Sequence, residues 1–304
     1  CASYRVLASE MDSPRGRIHA LRAIEAGELE LDATVASHFD TCLGCYACVT
    51  ACPSGVRYDQ LIEATRPKLN QANQRSSWQT NLRKLLLQVL PYPRRLRALL
   101  QPLRAYSGTP LQRLARRSGL TRLFGPEIEA MEQLLPPLVP ESFNDQLPTI
   151  NPATGDRRGR VALLLGCVQR CFDPSVSNAT VKVLQANGFE VVIPQDQGCC
   201  GAVSHHQGEL EITRQLASAL VNSMNRITGN LDAVLVAASG CGHTMKTYDE
   251  LLTDETQFRA PVLDVQEFLA DRGLLESFRA QLQPLPGVVA MHDACHMIHG
   301  QGIQ

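Results

Sequence analysis

From Arg160 onward, short apolar runs alternate with stretches of helical spacing. Val161-Ala-Leu-Leu-Leu165 is closed by Gly166, and Phe189–Ile193, Ala233–Ala237 and Val288–Met291 follow it. Runs of four or five aliphatic residues without polar alternation predict strands buried on both faces. Between them the spacing predicts helices over 174–187, 209–228 and 264–272, ending at Gly188, Gly229 and Gly273. Alternating strands and helices imply a parallel α/β sheet with crossover connections. The segment from Val161-Ala162 to Cys167 lines up with that from Val289-Ala290 to Cys295 at one fixed offset. This weak repeat makes the fourth strand the opening of a second copy of the domain.

The first half is patterned differently. Ser13-Pro14 has the cap-then-proline order of a helix start, with Ile18, Leu21 and Ile24 on one face and Gly27 near the end. Residues 57–66 predict another helix. The formal net charge of −1 hides an uneven distribution. No Asp or Glu occurs from Ala64 to Pro126, while basic residues recur from Arg66, Lys68 and Arg75 through Arg116, Arg117 and Arg122. Leucines interleave with them, and Pro91, Pro93, Pro102 and Pro110 divide the stretch into short basic amphipathic helices. Such helices suit an anionic membrane surface or an acidic partner, or form a solvated face. No nucleic-acid-binding motif accompanies the charge, so nucleic acid is excluded as a partner.

With 304 residues and 44% hydrophobic content the chain can bury more than one core. No apolar stretch approaches the roughly 20 residues of a membrane-spanning helix, and no signal peptide is visible. The expected location is the cytoplasm, with peripheral attachment to the inner face of the membrane as an option.

The eleven cysteines carry the chemistry. Residues 42–53 read Cys42-Leu-Gly-Cys45-Tyr-Ala-Cys48-Val-Thr-Ala-Cys52-Pro53, a C-x2-C-x2-C-x3-C-P run. Three thiolates at this spacing wrap one face of a [4Fe–4S] cube, and the fourth, before proline, serves a second cluster. Zinc sites separate their cysteine pairs by longer loops. Cys1 fits as the fourth ligand of the first cube, so Cys1, Cys42, Cys45 and Cys48 form one complete set. Cys52 then belongs to a cluster whose other ligands lie outside the sequence. The competing reading of Cys1 as the lipidated residue of an exported lipoprotein sits poorly with a ferredoxin run. Starting at Cys1 and stopping at Gln304 inside a cysteine motif, the sequence reads as a piece of a longer protein.

Cys167, the pair Cys199-Cys200, Cys241 and Cys295 each follow a predicted strand. Ligands of open parallel sheets bind beyond the carboxyl ends of the strands. These cysteines are therefore expected to gather along one edge as a second metal or redox site. The other reading is that they are small buried residues. No G-x-G-x-x-G or P-loop run is present, which places any flavin on another chain.

The ferredoxin run, Ser13-Pro14-Arg15-Gly16-Arg17-Ile18 and Gly198-Cys199-Cys200-Gly201 together resemble the iron–sulfur subunit of bacterial glycolate oxidase, over nearly the whole chain. Related iron–sulfur subunits serve lactate utilisation, anaerobic glycerol-3-phosphate dehydrogenase and heterodisulfide reductase. The resemblance implies two ferredoxin runs followed by two cysteine-rich CCG domains. Here that means 1–70 as the ferredoxin-type domain with its first run truncated, 71–159 as basic helical region and linker, 160–286 as the first CCG domain and 287–304 as the start of the second. The implied fold class is α+β multi-domain: a small α-helical ferredoxin-type domain plus an α/β parallel-sheet CCG domain.

The implied role is electron transfer from FAD on flavoprotein subunits that oxidise glycolate to glyoxylate, through two [4Fe–4S] clusters, to a quinone at the membrane. The alternatives are a lactate or glycerol-3-phosphate dehydrogenase subunit, or a thiol/disulfide enzyme acting at the CCG cysteines. Two departures stand out. Cys241-Gly242-His243-Thr244 lacks the final cysteine of the heterodisulfide reductase pattern, leaving His243 as a substitute ligand or an ordinary histidine. Ala2-Ser3 replaces the usual Pro-Thr after the last cysteine of the first run.

Overall fold

The computed structural model describes residues 1–72, 77–144, 147–284 and 286–304; Arg75 of the basic run lies outside them. The first half is helical: α1 (Ala2–Leu7), α2 (Pro14–Glu25), α3 (Ala33–Asp40), α4 (Ala47–Thr50), α5 (Tyr58–Ala72), α6 (Ser77–Val89), α7 (Pro93–Leu100), α8 (Pro110–Ser118) and α9 (Pro126–Leu134). Short polar side chains start several of them. Ser13 Oγ accepts from Gly16 N at 3.0 Å and Asp32 from Val35 N at 2.8 Å, each satisfying an amide that the first turn leaves open. Phe39, Tyr58, Ile62 and Leu69 form the core of α2, α3 and α5, and Cys42 and Cys48 pack against it.

The second half is built on a five-stranded sheet of order β1-β3-β2-β4-β5. Its elements in chain order are β1 (Ile150–Asn151), β2 (Gly159–Leu164), α10 (Gln169–Phe172), α11 (Pro174–Ala186), β3 (Phe189–Val192), α12 (Ala202–His206), α13 (Leu210–Asn225), β4 (Ala233–Val236), α14 (Ser239–Lys246), β5 (Val262–Asp264), α15 (Val265–Arg272) and α16 (Glu276–Arg279). β2 pairs in parallel with β3 and β4, and β4 with β5, while β1 runs antiparallel to β3. Alternate residues of β2 feed two cores. Ala162 and Leu164 join Leu216 and Leu220 of α13, and Val161 and Leu163 join Leu184 of α11 and Phe268 of α15. Helices therefore cover both faces, which is why the central strands carry no polar alternation. The fold is α+β.

Three of the four predicted strands form. Val288–Met291 does not: it runs as irregular chain, with Val288 and Met291 exposed and no partner strand among the described residues. The edge beyond β4 is taken instead by three-residue β5. β5 is hard to see in the sequence because it runs straight into the capping box of α15, where Asp264 and Glu267 reciprocally satisfy the first turn. The other edge strand, β1, lies in the stretch expected to be linker.

Candidate functional site

The loop between α3 and α4 carries the ferredoxin run. Gly44 adopts a left-handed conformation (φ 62°) and packs over Arg66 of α5, whose Nη2 donates to Cys42 O at 2.8 Å. Cys1, Cys42, Cys45 and Cys48 line a single pocket together with Pro14, Arg17 and Tyr58, whose hydroxyl donates to Cys42 Sγ at 3.7 Å. Burial, then the neighbouring Cys42 and Cys45, push the Cys48 thiol up. A thiol whose ionisation is disfavoured in this way suits a site where a cationic iron core compensates it. Among the described residues no three His, Cys, Asp or Glu side chains close around a single ion. A cube does not require that, since each thiolate there binds a different iron.

Arg17 brings Cys1 to this pocket. Only 1% exposed, it donates to His38 O (2.6 Å), Thr41 Oγ1 (2.9 Å) and Ser3 Oγ (3.1 Å), and it faces Asp12 Oδ1 at 3.6 Å. One guanidinium thus ties the Cys1 segment to the turn that leads into Cys42. Gly16 is required beside it, because a Cβ there would sit 2.1 Å from Glu10 O. Cys52 stands outside this pocket. Val56 N donates to its sulfur at 3.4 Å, and this amide with those of Ser54 and Gly55 holds the thiol below its ordinary range.

Four cysteines of the second group converge as the sheet topology requires; Cys295, expected after a fourth strand, has no such strand to deliver it. β2, β3 and β4 deliver Cys167, Cys199-Cys200 and Cys241 at their carboxyl ends. Cys167 Sγ and Cys199 Sγ lie 3.1 Å apart, Cys199 contacts Cys200, and Cys200 contacts Cys241, so the four thiols form one string. Gly201 N donates to Cys199 Sγ at 3.3 Å, and Tyr248 Oη pins the loop by donating to Cys200 O at 2.6 Å. The hydrogen bond to Cys199 and then burial raise the Cys167 thiol, and Cys200 lies well above its ordinary range. Cys295 is exposed at the start of the turn His296–Gly300, which packs on α14. The eleventh cysteine, Cys171, is buried among Leu96, Leu100 and Leu135.

Histidines join the two cysteine groups, an arrangement of which the sequence singled out only His243. Tyr46, between Cys45 and Cys48, meets His296, His243 and His206 with ring centroids 5.3, 5.2 and 6.3 Å away. His296 Nε2 donates to Gly44 O at 2.7 Å, linking the final turn to the ferredoxin loop. His243 Nδ1 donates to Gly300 O at 3.0 Å, which makes it part of this packing. The Tyr46 hydroxyl donates to Glu63 Oε1 at 2.5 Å, and His205 Nε2 approaches the same oxygen at 3.3 Å. Burial pushes Glu63 up, but His205 and Tyr46 outweigh it and hold the carboxyl at about 2. Burial takes His206 down to about 3, and both its ring nitrogens are buried without a hydrogen-bond partner among the described residues. Gly208 closes the junction: its Cβ would stand 2.6 Å from the Arg66 carbonyl carbon. Only the position of His205-His206 just after Gly198-Cys199-Cys200-Gly201 hinted at this cluster.

Comparison with known proteins agrees along the chain. The family model for the glycolate oxidase iron-sulfur subunit, linker region, matches residues 78–135. A cysteine-rich domain model matches residues 161–246, and a 4Fe-4S binding domain model matches residues 37–58. The chain is similar to the probable glycolate oxidase iron-sulfur subunit of Bacillus subtilis, at 33% identity over 294 residues covering 95% of this chain and 66% of that protein. Similarity to the glycolate oxidase iron-sulfur subunit of Escherichia coli is 31% over 316 residues, covering 99% and 69%. The chain thus spans about two thirds of the length of these relatives. One of the subunits of the fumarate reductase (CoM/CoB) of Methanothermobacter marburgensis is 33% identical over 145 residues, 48% of this chain and 27% of that one. No solved structure matches.

Proposed function

Because this chain belongs to the family of glycolate oxidase iron–sulfur subunits, we propose that it is the electron carrier of a glycolate-oxidising complex. Cys1, Cys42, Cys45 and Cys48 hold one [4Fe–4S] cluster, and Cys52 ligates a second. A cluster held there supplies one-electron transfer. Oxidation of a 2-hydroxy acid releases two electrons as a hydride, so a flavin on a partner subunit receives them first. The acceptor at the far end is a quinone in the membrane.

The observation that carries this reading is the single pocket shared by the three closely spaced cysteines and Cys1, which is distant from them in sequence. The protein's own part is to hold and tune that site. Tyr58 and the backbone supply donors to the sulfurs, Arg17 fixes the Cys1 segment, and the apolar walls limit water, all of which set a cluster's potential. Cys167, Cys199, Cys200 and Cys241 form an additional cluster site. The 3.1 Å separation of Cys167 and Cys199 also favours a second reading, dithiol/disulfide chemistry at that site.

Anaerobic reconstitution tests the first reading. The wild-type chain is expected to bind iron and sulfide, with charge-transfer absorption and a paramagnetic signal on reduction. Cys45→Ser abolishes or alters both. A Cys45→Ser variant indistinguishable from wild type overturns the assignment. Turnover of a disulfide substrate by the isolated chain selects the second reading.

A further inference from the structure

Helix α8 is built inside out. Two of its polar residues turn to the protein: buried Gln112 donates to Glu132 Oε1 (3.2 Å) and Leu135 O (3.3 Å) and accepts from Gly108 N (2.7 Å), and Arg116 reaches the same Glu132 carboxylate at 3.1 Å. Its leucines face out, Leu111 and Leu114 being 60% and 63% exposed. The 3-10 turn Leu120–Phe124, packed between α8 and α9, continues the surface with Leu120, Leu123 (79% exposed) and Phe124 (69%). Five large apolar side chains protrude from a convex helix and turn, a surface that marks an interaction site rather than a monomer's ordinary exterior.

The charge on α8 itself has one sign. Arg113 and Arg117, one turn apart on α8, are exposed and have no acidic partner among the described residues. Of the acids that follow α8, Glu132 is engaged with Arg116 and Glu129 with Arg122 at 3.0 Å, while Glu127 is exposed beyond Phe124. Protruding leucines and a phenylalanine flanked by unpaired guanidinium groups match an anionic lipid surface, which accepts apolar tips below its phosphates and cations at them.

We infer that α8 and the turn Leu120–Phe124 dock this protein on an anionic lipid bilayer. This rests on the reading above in one respect, that the proposed quinone acceptor is dissolved in a bilayer. The contact is peripheral, since no helix among the described residues is long and apolar enough to cross a membrane.

The test is co-flotation of the anaerobically prepared protein with vesicles of mixed phosphatidylglycerol and phosphatidylcholine, and with phosphatidylcholine alone. Binding is expected to the anionic vesicles and to weaken with salt. Leu114→Glu with Leu123→Glu should weaken it at least tenfold, from loss of apolar burial. Arg113→Gln and Arg117→Gln should each cost roughly fivefold. Both sites point to solvent, so circular dichroism and iron content should not change. Equal binding to neutral vesicles, no binding, or binding indifferent to the double variant overturns the inference. So does a concentration-dependent dimer that the double variant dissociates, because the patch then meets a second copy. Iron assayed on the same samples keeps the outcomes apart: vesicle binding without iron sinks the electron-carrier reading alone, and iron without vesicle binding sinks only this one.

Discussion

The ring of Tyr46 lies nearly parallel to that of His296, with centroids 5.3 Å apart and planes inclined by 15°. Tyr46 belongs to the cysteine run and His296 to the final turn of the chain. Tyr46 also has a positive φ of 58°, a left-handed conformation that costs an aromatic residue about 1–2 kcal/mol unless its surroundings enforce it. The surroundings are visible: the stack on His296, the contact with His243 and the bond from its hydroxyl to Glu63. The loop that positions Cys45 and Cys48 is thus held from the side of the second cysteine group.

Tyr46→Phe keeps the ring contacts and removes one donor from a buried carboxylate. Loss of a hydrogen bond to a charged group costs roughly 1.5–3 kcal/mol. Chemical denaturation should show a destabilisation in that range. A double-mutant cycle with Glu63→Gln should show the two effects to be non-additive, since both remove the same bond.

The histidine junction predicts an acid sensitivity. His206 is held neutral, with a folded value of about 3 against an ordinary 6.5. Its stabilising contribution is complete above pH 6.5 and is lost as pH falls below it, because the unfolded chain takes up the proton and the folded one does not. The groups facing it are His205, His296, Arg66 and Glu63, of which only Glu63 favours the proton. Between pH 7 and pH 5.5 stability should drop by about 1–2 kcal/mol. His206→Phe, which retains a ring, should flatten the slope. An unchanged slope in the variant would assign the acid sensitivity to other groups.

Legibility from sequence followed the range of the interactions. The buried strands β2, β3 and β4 were readable because a strand covered on both faces has to be continuously apolar. Their shared direction then placed Cys167, Cys199, Cys200 and Cys241 on one edge without knowledge of any contact. The ferredoxin run was readable because its chelation is local. Val288–Met291 misled for the complementary reason: an apolar run becomes a strand only where a neighbouring strand pairs with it, and the described residues bring none to it. The histidine junction was barely legible because Tyr46, Glu63, His206, His243 and His296 come from five separate segments. None of them carries a local pattern announcing the others.

Cys52 should be the most reactive thiol of the metal-free chain. The amides of Val56, Ser54 and Gly55 lower its pKa, and it is not enclosed. Cys199 and Cys200 are buried and raised, and they should resist alkylation until the chain unfolds. Timed iodoacetamide labelling at pH 7 with peptide mass analysis checks the order. Faster modification of Cys199 than of Cys52 would contradict the amide cradle.

Arg17 offers the sharpest structural test, since it is a fully buried cation whose bonds all serve to join two segments. Arg17→Met leaves the Asp12 carboxylate buried with Thr41 and His38 as its remaining partners, and leaves the Ser3 hydroxyl its bond to Asp12 O at 3.0 Å. Breaking a buried charge pair from one side costs about 3–5 kcal/mol. Arg17→Lys keeps the charge but lacks the planar fork that spans Ser3, Thr41 and His38 O, so it should fall between wild type and Met. Denaturation midpoints measure the stability arm. The functional arm is iron retention after reconstitution: if Arg17 positions Cys1, both variants should lose iron faster than wild type when challenged with a chelator. A Met variant destabilised as expected but retaining iron like wild type would leave Arg17 a purely structural role.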